Sequence, residues 1–187
     1  MAVTLQAGDA APDFDLEDQD GKRQRLADYA GQTVVLYFYP CDETPGCIKE
    51  ACSFRDTHDE ITEQGAVVLG VSADDAESHR KFRDKHSLPF PLLVDGETKV
   101  STAYGSWGKK KLYGRTSIGM TRSTFVIGPD RVLTKVWKRA RAAEHGEAVL
   151  EVLRARGRSI ECVMRPEARL CRVLDSAQRP RVPCGIG

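Results

Sequence analysis

No uninterrupted apolar run in this 187-residue chain is longer than Val34 to Tyr39, far below the roughly 18 residues that read as a membrane span, so no membrane partner is expected. Charge of one sign is equally scarce. The 28 Lys and Arg against 27 Asp and Glu leave a net charge of +1, which provides no electrostatic footprint for nucleic acid. The opening residues, MAVTLQAGDAAPDF, have neither a basic start nor a continuous apolar stretch. A secretory signal is therefore not expected, and the cytoplasm is the expected location. Six cysteines are few for a disulfide scaffold, and in a reducing compartment they are more often free, metal-bound or catalytic. No internal repeat or low-complexity tract interrupts the chain.

What is present is an ordinary globular composition, 41% hydrophobic and 29% charged, in a chain long enough for one well-buried domain. Phe14 to Leu26 holds two short segments around Asp20-Gly21, the signal of an N-terminal β-hairpin. Thr33 to Tyr39 (TVVLYFY) does not alternate, as expected of a central strand covered on both faces. AVVLGV at Ala66 to Val71 repeats that character, and Phe54 and Ile61 between the two stand at helical spacing, which predicts a β-α-β unit. Asp74 is expected to cap a helix through about His86, with a short strand at Phe90 to Val94 and a helical turn at Thr98 to Tyr104. Ser106 to Gly119, rich in Gly and Lys, reads as a loop, and Ser123 to Trp137 as two strands around Gly128-Pro129-Asp130. Glu144 to Arg156 places Val149, Val152 and Leu153 on one side of an amphipathic helix. This order predicts an α/β fold, a thioredoxin-like three-layer sandwich, over residues 1–156. From Gly157 onward six Arg face three acids, with three prolines and three cysteines and no sustained periodicity, so 157–187 reads as an appended tail.

The chemistry concentrates in YPCDETPGCIKEACSFRD, Tyr39 to Asp56, which leaves a buried strand and enters a helix, the place where open α/β sheets bind ligands. Thr44 has the chemistry of an N-cap and Pro45 suits the first helical position, which places Cys47 at the third. There the unpaired backbone N–H groups and the positive end of the helix dipole favour the thiolate, the nucleophilic form. Most lone cysteines are small buried hydrophobes; it is the surrounding motif that sets Cys47 apart.

Pro40, Thr44 and Cys47 match the P-x-x-x-T-x-x-C motif, and the chain here resembles the peroxiredoxins. The following E-A-C-S-F-R-D looks like the bacterioferritin comigratory protein, or peroxiredoxin Q, branch, and the similarity runs from about Gly8 through Arg156, taking in APDFDL, FPLLVD and TRSTFVI. The resemblance implies a thiol peroxidase acting on hydrogen peroxide and organic hydroperoxides, without cofactor or metal. It makes Cys47 the peroxidatic residue and Arg122 the active-site arginine, a residue that without the motif would read as a solvated surface charge. Thiolate attack on one peroxide oxygen leaves charge on the other, where Arg122, the Thr44 hydroxyl and the Cys47 N–H are expected to stabilise it. The resulting sulfenic acid condenses with a second thiol, for which Cys52 is the candidate, in keeping with a resolving cysteine five positions on in this branch. In an intact helix such residues are separated by about 7.5 Å of rise and roughly 140° of rotation, a Cα separation of about 8.6 Å. A disulfide needs less than about 7 Å, so the helix is expected to unwind in each cycle. By resemblance a thioredoxin-like dithiol then reduces the bridge, and intrachain resolution favours a monomer.

Other readings compete at particular residues. Cys41 is either an incidental side chain or a rival to Cys52 for the sulfenate. Cys41, Cys47, Cys52 and His58 have zinc-ligand chemistry, but irregular spacings of six, five and six. His79, beside the run HRKFRDKH, reads as a surface residue of a solvated helix, and Cys162, Cys171 and Cys184 as idle tail thiols. As whole-protein alternatives, a thiol-disulfide oxidoreductase is disfavoured by C-x-x-x-x-C in place of C-x-x-C, and a redox-controlled holdase keeps the fold without the catalysis.

Overall fold

The computed structural model describes residues 4–112 and 115–164. Its contacts divide the chain into a unit of Met1–Arg154, which holds the sheet and the site described below, and a second of Ala155–Gly187. The N-terminal hairpin is β1 (Asp15–Asp18) and β2 (Arg23–Arg25), turned at Gly21 with φ +77°, and a 3-10 turn at Leu26–Tyr29 leads into β3 (Thr33–Phe38). Next come α1 (Pro45–Asp56), α2 (His58–Glu63), β4 (Ala66–Ser72), α3 (Ala76–His86), β5 (Leu92–Val94) and α4 (Lys99–Ala103). The chain continues through β6 (Trp107–Leu112), β7 (Arg115–Met120), β8 (Ser123–Ile127), β9 (Leu133–Trp137) and α5 (His145–Met164).

Seven strands form one sheet in the order β2-β1-β5-β4-β3-β8-β9, with β3, β4 and β5 parallel and β8 antiparallel to β3. The unbroken apolar run of β3 is explained by its position, because both faces are covered. Val35, Tyr37 and Tyr39 pack with Ala51 and Phe54 of α1, Ile61 of α2, Phe82 of α3 and Val149, Leu150 and Leu153 of α5. Val34, Leu36 and Phe38 face the other way, against Phe14, Val100, Tyr104 and Met120. Helices on both faces of one sheet make the three-layer thioredoxin-like sandwich.

Three local readings are corrected. Ser106 to Gly119 is not a loop: β6 and β7 pair as a separate two-stranded ribbon, Trp107 opposite Met120 and Gly108 opposite Gly119. A ribbon satisfies its backbone without alternating apolar residues, so period-two patterning does not mark it. The cap of α3 is Asp75, whose carboxylate accepts the Ser78 N–H at 2.8 Å, rather than Asp74, which turns into the loop before α1. Helix α5 continues past Gly157 to Met164. The remainder of the tail with Cys171 and Cys184 lies outside the described residues, as does the side chain of Cys162.

Where α5 begins it is locked to α1. Gly146 donates its N–H to Ser53 Oγ at 2.9 Å, and a Cβ on Gly146 would lie 2.4 Å from the Ser53 carbonyl oxygen. Since backbone cannot yield as a side-chain tip does, Gly146→Ala should cost about 1–3 kcal/mol in chemical denaturation, as overpacked cores do. An unchanged midpoint would contradict the close approach.

Candidate active site

Strand β3 ends at Phe38, two residues before Pro40: Tyr39 still donates its N–H to Val71 O at 3.1 Å, and Pro40 has no N–H with which to extend the ladder. The chain then crosses a short loop into α1, with Thr44 as N-cap, extended at φ −78° and ψ 142°, and Pro45, Gly46 and Cys47 filling the first three helical positions. The Thr44 carbonyl accepts the Ile48 N–H at 2.9 Å, while its hydroxyl donates to Cys41 O at 3.2 Å and does not cap the helix. Cys47 is 1% exposed.

Arg122 reaches the same place from a distant part of the chain. The pairing of Phe38 with Ser123 sets the residue before β8 at the end of β3 from which α1 departs. Arg122 Nη2 donates to Cys47 Sγ at 3.1 Å. Gly46 makes room for this contact, since a Cβ there would stand 3.0 Å from both Nη1 and Nη2 of Arg122. A buried sulfur, a guanidinium and a helix N-terminus together can stabilise a nucleophilic thiolate and an oxygen that gains negative charge.

One residue of this site carries no motif in the sequence. Glu50 follows Cys47 by three positions, on the same face of α1, and is fully buried. Its Oε2 lies 3.2 Å from Arg122 Nε, but the pair is not aligned as a hydrogen bond, and neither carboxyl oxygen finds a hydrogen-bond partner among the described residues. Burial pushes the Glu50 carboxyl up to about 8, with Arg122 offsetting only part of that. At neutral pH Glu50 is thus the neutral acid, and the charge of Arg122 is left to the sulfur. His145 behaves likewise: burial, then the charge of Arg122, push its imidazole down to about 4, and its Nε2 stands 2.7 Å from Thr124 Oγ1.

The other thiols differ in environment. Cys52 is half-buried within α1, and Cys41 is exposed in the loop; both are free, as is Cys47. The Cys41 thiol donates to Asp74 Oδ1 at 3.5 Å, and burial together with the carboxylate of Asp74 pushes it up to about 11. Among the described residues, no three His, Cys, Asp or Glu side chains converge in a metal-binding arrangement.

His79 is not the surface residue its charged neighbours suggest, being fully buried on the inner face of α3. Its Nδ1 lies 2.8 Å from Asp42 Oδ2 and its Nε2 3.3 Å from Leu93 O, so the polar ring has acceptors at both nitrogens. Asp42, in the loop before Cys47, also accepts from the Ser78 hydroxyl at 2.7 Å and the Tyr39 hydroxyl at 2.9 Å.

Residues 7–136 match the model of the AhpC/TSA family. The chain is 45% identical over 152 residues to peroxiredoxin Bcp of Bacillus subtilis, covering 81% of this chain and 97% of that protein. To peroxiredoxin Bcp of Escherichia coli K12 it is 41% identical over 150 residues, covering 80% and 96%. Among solved structures, the bacterioferritin comigratory protein of Xanthomonas campestris, studied for its alkyl peroxide reduction activity, superposes with a TM-score of 0.74 at 34% identity, covering 83% of this chain and 99% of that one.

The protonation of Glu50 has a measurable consequence. Its folded value of about 8 lies above the ordinary 4.5, so between those pH values the folded state holds a proton that the unfolded chain has released. Stability from this group is therefore complete below about pH 4.5 and lost as pH rises through about 8. Glu50→Gln should gain on the wild type over that window, by on the order of a few kcal/mol in urea unfolding at pH 5 and pH 9. A difference that is the same at both pH values would contradict a buried neutral acid.

Proposed function

We infer the course of the reaction from one premise: the chain belongs to the AhpC/TSA family, in its Bcp/peroxiredoxin Q branch, and is a thiol peroxidase. The observation that carries the assignment of residues is the 3.1 Å contact of Arg122 with a buried cysteine at a helix N-terminus. Cys47 thiolate attacks one oxygen of hydrogen peroxide or an organic hydroperoxide. The S–O bond forms as the O–O bond breaks, and the departing oxygen leaves with the electron pair. Arg122 and the Cys47 N–H face the developing charge, joined by the Thr44 hydroxyl if it turns from Cys41 O, until solvent protonates the product to water or alcohol. Pro40 ends the strand so that the loop can deliver Thr44 and Cys47 to this point.

Cys47 is left as a sulfenic acid, and attack by the Cys52 sulfur expels water and forms the disulfide. Both cysteines lie in the wound helix α1, where five residues hold their Cα atoms about 8.6 Å apart, so α1 unwinds for this step. Cys41 is sequentially near, but a thiol pushed up to about 11 is almost wholly protonated at neutral pH and attacks slowly, which favours Cys52 as the resolving residue. A dithiol reductant of the thioredoxin type then supplies two electrons and restores both thiols. Resolution within one chain needs no second subunit, so the monomer is the working unit.

Treating the reduced protein with one equivalent of hydrogen peroxide, then trapping thiols and mapping peptides by mass spectrometry, should give a Cys47–Cys52 bridge as the main product. Cys52→Ser should still consume the first equivalent at the wild-type rate but leave Cys47 as the sulfenic acid, which a second equivalent of peroxide then takes to the sulfinic acid. An unreacted Cys47, or a main bridge to Cys41, would overturn the assignment.

A further inference from the structure

We propose that Asp42 and His79 are positioning residues of the peroxidase: their buried pair fixes the upstream end of the segment carrying Cys47, so that unwinding begins only downstream of Asp42. This rests on the Cys47–Cys52 cycle proposed above. The side chains of Asp42 and His79 are 2% and 0% exposed. Besides the three donors on its carboxylate, Asp42 gives its own N–H to Asp74 Oδ2 at 2.7 Å, and Asp74 is held in turn by the Ser72 hydroxyl at 2.8 Å. Three elements therefore converge on one loop residue: the end of β3 through Tyr39, the end of β4 through Ser72 and Asp74, and α3 through Ser78 and His79. The remaining nitrogen of His79 ties α3 to β5 at Leu93 O.

The next residue is held quite differently. Glu43 has a left-handed backbone at φ +57°, and its exposed carboxylate pairs with Lys85 and His86 at the far end of α3. The exposed Glu43–Lys85 pair breaks at little cost, whereas separating Asp42 from His79 strands two buried polar groups, the less favourable way to open the loop. At the other end, Ser53 accepts the Gly146 N–H, and Phe54 is wedged between the rings of Tyr37 and His145 at 4.8 and 5.5 Å. Residues 43–52 lie between these two posts, and they contain both Cys47 and Cys52. The segment can then rearrange for the disulfide without disturbing β3, and wind back onto the same register to restore the Arg122 contact.

The test is peptide-level hydrogen exchange on the full chain, reduced and disulfide-bonded, with stopped-flow measurement of the peroxide step. In the wild type, amides of residues 39–42 should keep their protection within twofold on oxidation, while those of 43–52 lose at least tenfold. His79→Leu should extend the loss to 39–42 in the reduced protein and slow the peroxide step at least tenfold, without slowing disulfide formation. His79→Asn, whose amide can replace the Nδ1 donor, should return the peroxide step to within threefold. Ser78→Ala, a milder change at the same carboxylate, should move both readouts in the same direction if His79→Leu fails to fold. Loss of protection at 39–42 in the oxidised wild type, or a peroxide step unmoved by His79→Leu and Ser78→Ala, overturns the proposal. If no bridge to Cys52 forms, the cycle fails, and the reduced-state comparison of the variants with wild type still decides whether Asp42 is the post.

Discussion

The contact between the Arg122 guanidinium and the Cys47 sulfur depends on nearly everything else in the molecule. It joins residues 75 positions apart, and requires β8 to lie beside β3 in one register, so that the residue before Ser123 meets the end of Phe38. Gly46 leaves the guanidinium where it is, because a Cβ there would crowd it at 3.0 Å and push it off the sulfur. Helix α1 must be wound, because only then is Cys47 at its third position beside the unpaired N–H groups. Glu50 must be uncharged, because a buried carboxylate would compete with the sulfur for the same cation. The core of α1, Ala51 and Phe54 against β3, α2 and α5, supplies the packing that holds these conditions together.

The same condition that arms Cys47 prevents its resolution. A wound helix separates the two thiols beyond disulfide reach, so in the proposed cycle the site alternates between a state suited to peroxide and a state suited to Cys52. Small differences in local stability set the balance between them. On the proposal above, the movable segment is bounded by buried Asp42 on one side and by Ser53 with buried Phe54 on the other. Cys41, although it sits in the same loop, is tied to Asp74 and kept as a thiol.

The parts legible in the sequence are those governed by local rules. Thr44-Pro45 marks a helix start, and the uninterrupted TVVLYFY marks a strand covered on both faces, so these two signals suffice to place Cys47 in the first turn of a helix that leaves a buried strand. Arg122 is legible only through motif resemblance, because nothing local to it reveals that β8 lies beside β3. His79 reads as a surface residue because its neighbours Arg80, Lys81 and Arg83 are charged, while its partner Asp42 is 37 residues away and makes no local pattern. Glu50 stands one turn beyond Cys47 among Ala51 and Phe54, and that i, i+3 placement is the signal that could have found it. The β6–β7 ribbon is silent in the sequence because backbone pairing alone leaves no hydrophobic alternation to read.

In the proposed mechanism Arg122 acts on the charge that develops on the departing oxygen as well as on the sulfur it touches, and a comparison of two rates separates these roles. Second-order rates of Cys47 with hydrogen peroxide and with iodoacetamide would be measured for wild type and Arg122→Gln. Loss of a preorganised donor to a developing oxyanion typically costs about 10²–10³ in rate. The peroxide rate should fall by that factor, with the alkylation rate falling far less, since iodide departs without need of the guanidinium. Parallel falls in both rates, or a peroxide rate that survives the substitution, would contradict the account.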